Sequence, residues 1–220
     1  MPPNKESLKL QCAQTTRQES TDVLCNSTSV LLCIKDKLTS YRSSIFEAQL
    51  FRAAFLFAFF GFLRVGEFTA KSKQVVSALR HSDVSLQVAP TGRVVVLNVR
   101  FSKTDQCGRG CFITIPECSR GDFALCPVRA AAQFLSVLRP HCSSFFSHFN
   151  GDPVTRSQFT AVLQRSLGFG DMRFSSYSFR IGAVTSAAMS GIPEADIQAM
   201  GRWKSNAYSR YIRIDPGFIL

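Results

Sequence analysis

Residues 53–63 read A-A-F-L-F-A-F-F-G-F-L, eleven positions in a row without a polar side chain, flanked by Arg52 and Arg64. Eleven residues of α-helix rise about 16 Å, well short of the ~30 Å hydrocarbon core of a bilayer. The run is therefore read as a buried core helix and not as a membrane span. A helix that is apolar on every face has no side to offer water, so other elements must surround it at the centre of a domain. A chain of 220 residues is long enough to build one substantial core of this kind.

What surrounds that core is basic. The formal net charge is +11, while hydrophobic residues make up 45% and charged residues 19%. This balance reads as globular and not as disordered. A basic excess without acidic blocks points to a polyanionic partner, with nucleic acid ahead of a membrane surface; a generic basic surface is the alternative. Eight cysteines stand at 12, 25, 33, 107, 111, 118, 126 and 142. Their spacings match no zinc pattern, and His141 and His148 lack a C-x-x-C partner. The start, M-P-P-N-K-E-S, is polar and no apolar signal-peptide segment follows it promptly. The cysteines are read as reduced, buried small hydrophobes of an intracellular protein.

Periodicity divides the chain into one helical domain with a small inserted sheet. Residues 1–22 are polar and aperiodic and read as a loose tail. Val30, Leu31, Ile34 and Leu38 recur at helical spacing between Ser27 and Tyr41. The Phe-rich helix follows, from about Ile45 to Leu63. R-V-V-V-L-N-V-R (93–100) and C-F-I-T-I-P (111–116) are β-branched runs joined by a Gly-containing loop, which predicts an antiparallel hairpin; Val84–Val88 is a candidate third strand. Pro127 opens a helix that Pro140 ends after Leu138. Thr155 and Gln158 form a T-x-x-Q capping box. Gly191 and Pro193 mark one helix stopping and the next starting. The fold class is mainly α with a small antiparallel β-sheet, α+β.

Within this frame a few residues carry chemistry. Arg64 closes the apolar run in G-F-L-R-V-G-E-F-T, where an arginine is costly unless it meets an anion or a carboxylate such as Glu67. Lys103 lies in the hairpin loop S-K-T-D-Q-C-G-R-G, from which a lysine can reach into a groove; a solvated loop lysine is the plainer reading. Arg180 sits between Phe179 and Ile181 in a helix otherwise small and apolar. Trp203, the sole tryptophan, is by default a packing residue. Tyr211 follows Arg180 by 31 residues, with Tyr208 one turn before it on a similar face. For either tyrosine the plainer reading is packing with the hydroxyl at the rim.

Taken in order, F-F-G-F-L-R-V-G-E-F-T, S-K-T-D-Q, S-F-R-I-G-A and G-R-W-K-S-N-A-Y-S-R-Y-I-R resemble the catalytic domain of the tyrosine recombinases, the phage-integrase-like enzymes. They are most similar to the versions carried by DIRS-type and crypton mobile elements. The resemblance covers about residues 30–213, and it implies the recombinase catalytic-domain fold over 23–213, with 214–220 as a short C-terminal tail. It implies that Arg64 and Arg180 clamp a scissile phosphate of double-stranded DNA and that Lys103 protonates the leaving oxygen. Trp203, or alternatively Arg202, would buttress the site, and Tyr211 would attack to give a 3′-phosphotyrosyl link. Glu67 would orient Arg64. The same resemblance implies site-specific recombination or integration in a self-associated synaptic complex, nuclear residence, and no metal, cofactor, small-molecule substrate or membrane.

Two features depart from the pattern. The family has a histidine three residues before the second arginine, and here that residue is Tyr177. A phenol can hydrogen-bond a phosphate, but its ordinary pKa of about 10 makes it a poor base at neutral pH. The expectation is weakened chemistry. The usual N-terminal DNA-clamp domain is also expected to be absent or truncated, since only some 45 residues precede the Phe-rich helix. Three functions stay open: a strand-exchange enzyme, a decayed or domesticated DNA-binding remnant, and an interaction module whose charge is incidental.

Overall fold

The computed structural model describes residues 27–40, 44–72, 79–90, 92–102, 110–118, 123–138, 143–168 and 174–213. The expected tails at 1–22 and 214–220 lie outside the described residues, as does Lys103.

The Phe-rich run forms α2 (Ile45–Phe60), preceded by α1 (Ser27–Ser40). Ser44 starts α2 by accepting a hydrogen bond from the Glu47 backbone N–H at 3.3 Å. Nine residues of α2 between Leu50 and Phe59 are buried, as a helix apolar on every face requires. The helix ends three residues earlier than expected, because the chain turns at Gly61 and Phe62, where φ at Phe62 is +49°. A four-residue helix, α3 (Val65–Phe68), follows the turn.

The sheet has three antiparallel strands in the order β1 (Val84–Ala89), β2 (Gly92–Val99), β3 (Cys111–Pro116). Val84 pairs with Leu97, and Leu97 with Ile113, so Val84, Val95, Leu97, Val99, Ile113 and Ile115 share one face. Against it packs α4 (Pro127–Leu135), which begins at the proline as expected but ends before Leu138. The ion pair of Arg100 Nε with the buried Asp83 carboxylate, 2.6 Å, ties the end of β2 to the start of β1.

The remaining helices are α5 (Arg156–Leu167), α6 (Ser176–Met189) and α7 (Glu194–Gly201), followed by a 3-10 helix, Asn206–Tyr211. The predicted capping box is present: Gln158 Oε1 accepts from the Thr155 backbone N–H at 2.9 Å, and Thr155 Oγ1 accepts from that of Gln158 at 3.3 Å. Phenylalanines lock these helices to α2. Phe55 stacks on Phe179 of α6 at 5.2 Å and meets Phe159 of α5 edge-on at 4.9 Å. Each such buried ring contributes about 1.5–3 kcal/mol. The architecture is thus mainly helical with one small antiparallel sheet. Of the described cysteines, Cys126 is buried and Cys111 and Cys118 are partly so. Cys33 departs from the expected burial: on α1 it faces water, away from the side carrying Leu31, Ile34 and Leu38. Among the described residues no helix is long and apolar enough to cross a membrane.

Candidate active site

The Phe62 turn, α3, the start of α6 and the chain after α7 meet around a cleft of about 550 Å³. Arg64, Glu67, Ser102, Arg156, Tyr177, Arg180 and Tyr211 all line it. Four of the residues singled out from sequence for catalysis therefore share one wall system, with Glu67 between them.

Arg64 precedes α3, and Glu67 lies one turn in. The buried Glu67 carboxylate accepts from the Arg64 backbone N–H at 2.9 Å with Oε2, and from Arg64 Nη1 at 3.0 Å with Oε1. Arg64 Nη1 also donates to Ser102 Oγ at 2.9 Å, which joins it to the segment leaving β2. The expected partnership of Arg64 with Glu67 is present and is reinforced by Ser102, the first residue of the S-K-T-D-Q segment.

Arg180 is 1% exposed. Phe179 is fixed on Phe55, and the next residue of the helix points back toward the end of α2. There Arg180 Nη1 donates to the Phe62 carbonyl and Nη2 to the Gly201 carbonyl. Its guanidinium carbon lies 4.1 Å from the centre of the Trp203 ring and 5.8 Å from that of Tyr211. Arg180 Nε is buried and has no hydrogen-bond partner. Burial, followed by the positive charges of Arg64 and Arg202, holds the Arg180 pKa down to about 10, with Glu67 and Tyr211 acting in the opposite sense. It stays cationic at neutral pH.

Arg202 takes a different direction from Trp203. Its backbone is left-handed, φ +57°, so the chain reverses after α7 and sends the two side chains apart. Arg202 Nη2 reaches Glu67 Oε2 at 2.7 Å and the Phe62 carbonyl at 3.3 Å, and Nη1 reaches the Gly61 carbonyl at 3.2 Å. Phe62 and Arg202 are the two non-glycine residues with positive φ among the described residues, and they touch each other here. Backbone strain of this kind gathers where the surroundings over-determine it. Trp203, by contrast, lies on the α-carbon of Gly201 and 5.1 Å from the Tyr211 ring.

Tyr211 ends the 3-10 helix and packs between Trp203 and Tyr177, whose ring centre is 5.2 Å away. The buried Thr185 hydroxyl pins this segment to α6, donating to the Tyr211 carbonyl and accepting from the Arg213 N–H, both at 3.1 Å. Tyr208, expected on a similar face, instead turns inward and donates to Glu194. Tyr177 is half-exposed in the cleft. Sequence reasoning missed Arg156: it is the first residue of α5, directly after the capping Thr155, and that box was the available signal.

Arg64, Arg180 and Arg202 surround a single carboxylate, Glu67, leaving a surplus of two positive charges. Burying like charges together is unfavourable unless an anion joins them.

This arrangement sits in a known fold. Similar solved structures include XerA recombinase, at TM-score 0.61 and 18% identity, covering 87% of this chain and 60% of that one. An FLP recombinase–Holliday junction complex matches at TM-score 0.63 and 14% identity, over 91% and 51%. A lambda integrase dimer bound to a COC′ core site matches at TM-score 0.55 and 19% identity, over 86% and 47%. The fold is that of the tyrosine recombinase catalytic domain. The chain spans between 47% and 60% of the length of these three. No protein-family model and no curated protein matches the sequence.

Proposed function

We propose that this chain binds double-stranded DNA and performs site-specific strand cleavage and rejoining through a 3′-phosphotyrosyl intermediate. The observation that carries the reading is the cleft itself, where the Tyr211 phenol stands beside Arg180 and Arg64 in a pocket with surplus positive charge. A phosphodiester brings one negative charge, and the pentacovalent transition state brings a second. Fixed cations therefore favour the transition state over the ground state.

In this reading Arg64 and the Arg180 Nε–H hold the non-bridging oxygens, and Tyr211 gives up its phenolic proton to solvent water as its oxygen bonds to phosphorus and the bond to the 5′-oxygen breaks. Lys103 supplies the proton to that oxygen. Trp203 keeps Arg180 and Tyr211 in register. Tyr177 hydrogen-bonds the phosphate in place of the usual histidine. The net charge of +11 supports DNA as the partner, and the FLP and lambda integrase structures, a Holliday junction complex and a DNA-bound dimer, support self-association on DNA. A mobile-element origin of the DIRS or crypton type and nuclear residence belong to the same proposal and rest on the sequence motifs.

One observation favours a second reading, a DNA-binding remnant without turnover. Each Nη of Arg180 already gives one N–H to a backbone carbonyl, and Tyr177 is a poor base. A pool of nicked duplexes of randomised sequence separates the two. A covalent protein–DNA adduct with the parent and none with Tyr211→Phe supports cleavage. Salt-sensitive DNA binding without an adduct supports the remnant. Absence of DNA binding at low salt removes both.

A further inference from the structure

Glu67 poses an electrostatic problem that Arg202 answers. To fix Arg64, Glu67 uses both oxygens, one on the Arg64 guanidinium and one on its backbone N–H. A carboxylate placed there also cancels the charge of the arginine it positions, which would weaken an anion site. The oxygen that accepts from the Arg64 backbone also takes Arg202 Nη2 at 2.7 Å, the shorter of the two arginine contacts. Arg202 does not line the cleft; its Nη atoms also donate to the Gly61 and Phe62 carbonyls, while its buried Nε has no hydrogen-bond partner.

We infer that Arg202 is a positioning residue whose charge offsets Glu67, so that Arg64 is held in place without being neutralised. The inference rests on the strand-cleavage reading for its purpose, but not for its physics. Without Arg202 the cluster carries one surplus positive charge, enough for a phosphodiester. With it the surplus is two, which matches the transition state. The left-handed backbone at Arg202 is what makes this possible: it turns the guanidinium toward Glu67 while Trp203, the next residue, goes to Arg180.

The test counts charges. Inorganic phosphate serves as the anion probe, followed through the fluorescence of Trp203, the sole tryptophan, beside Arg180. Arg202→Gln is expected to weaken phosphate binding by about tenfold, the order expected of one unit charge in a partly buried site. It should slow adduct formation on the nicked duplex pool by about 10²-fold, the order of weakening a preorganised electrostatic effect on the transition state. Adding Glu67→Gln restores the surplus of two, and the double variant is expected to recover most of both losses. Arg202→Lys keeps the charge and should retain most phosphate affinity, which gives a second measure if Arg202→Gln fails to fold. A double variant no better than Arg202→Gln, or an Arg202→Lys as weak as a neutral variant, would show that Arg202 only braces the Phe62 turn and would overturn the inference. A parent that binds phosphate with this pattern but forms no adduct sinks the cleavage reading and leaves the role of Arg202 standing. A parent that binds no phosphate removes the charge argument itself.

Discussion

Trp203 rests directly on Gly201: a β-carbon at Gly201 would collide with the indole ring. The Gly201 carbonyl in turn accepts from Arg180 Nη2, and the indole covers the Arg180 guanidinium at 4.1 Å. Glycine, tryptophan and arginine form one unit, in which the missing side chain is what lets the ring close over the cation.

Gly201→Ala should therefore dislodge Trp203 and open Arg180 to water. Forcing a methyl group into packed space costs about 1–3 kcal/mol. Urea unfolding followed by tryptophan emission should show that loss together with a red-shifted native spectrum. An unchanged native spectrum would contradict the close seat of the ring.

Thr155→Ala removes the cap of the helix that presents Arg156 to the cleft. The expected cost is about 1 kcal/mol. DNA affinity should fall modestly as well, because the Arg156 end frays. Stability loss without any change in DNA affinity would place Arg156 outside the DNA footprint.

His148 Nδ1 lies 2.9 Å from Glu47, linking the segment before α5 to the first turn of α2. Hydrogen bonding to Glu47 raises the His148 pKa from its ordinary 6.5 against the opposing effect of burial, with Gln158 and Asp152 adding to the rise. Arg165 also faces this pair across a cavity of about 370 Å³ that Glu47 and His148 line. The folded state holds this proton more tightly than the unfolded chain, so the stabilisation is complete below about pH 6.5 and is lost as pH rises through the higher folded value. Denaturation midpoints across that window should slope downward for the parent, and His148→Gln should flatten the slope.

Tyr177→His should speed adduct formation, since an imidazole at the cleft wall can take the Tyr211 proton near neutral pH. Restoring a general base is worth about 10²–10⁴-fold where proton transfer limits the rate. A rate identical to the parent's would show that the phenol already suffices.

The sequence was most legible where burial alone dictates the answer. The Phe-rich helix, the β-branched hairpin and the Thr155 cap each follow from local pattern, and all three are present. Arg180 stood out as a charge in an apolar helix. Its partners did not, because the Phe62 and Gly201 carbonyls are backbone atoms, and any residue brings one. The turn at Phe62 runs against local preference, since bulky residues avoid positive φ. Arg202 and Trp203 are neighbours that the sequence offers for one buttressing role; the left-handed backbone at Arg202 sends the two side chains apart.

The Phe62 carbonyl also has a consequence in time. Its donors, Arg180 and Arg202, lie 118 and 140 residues further along the chain. Contacts this distant in sequence form late, after closure of the intervening loops. Phe55 meets its partner Phe179 across a similar span of chain, so the core around the Phe-rich helix and the arginine cluster close together, late in folding.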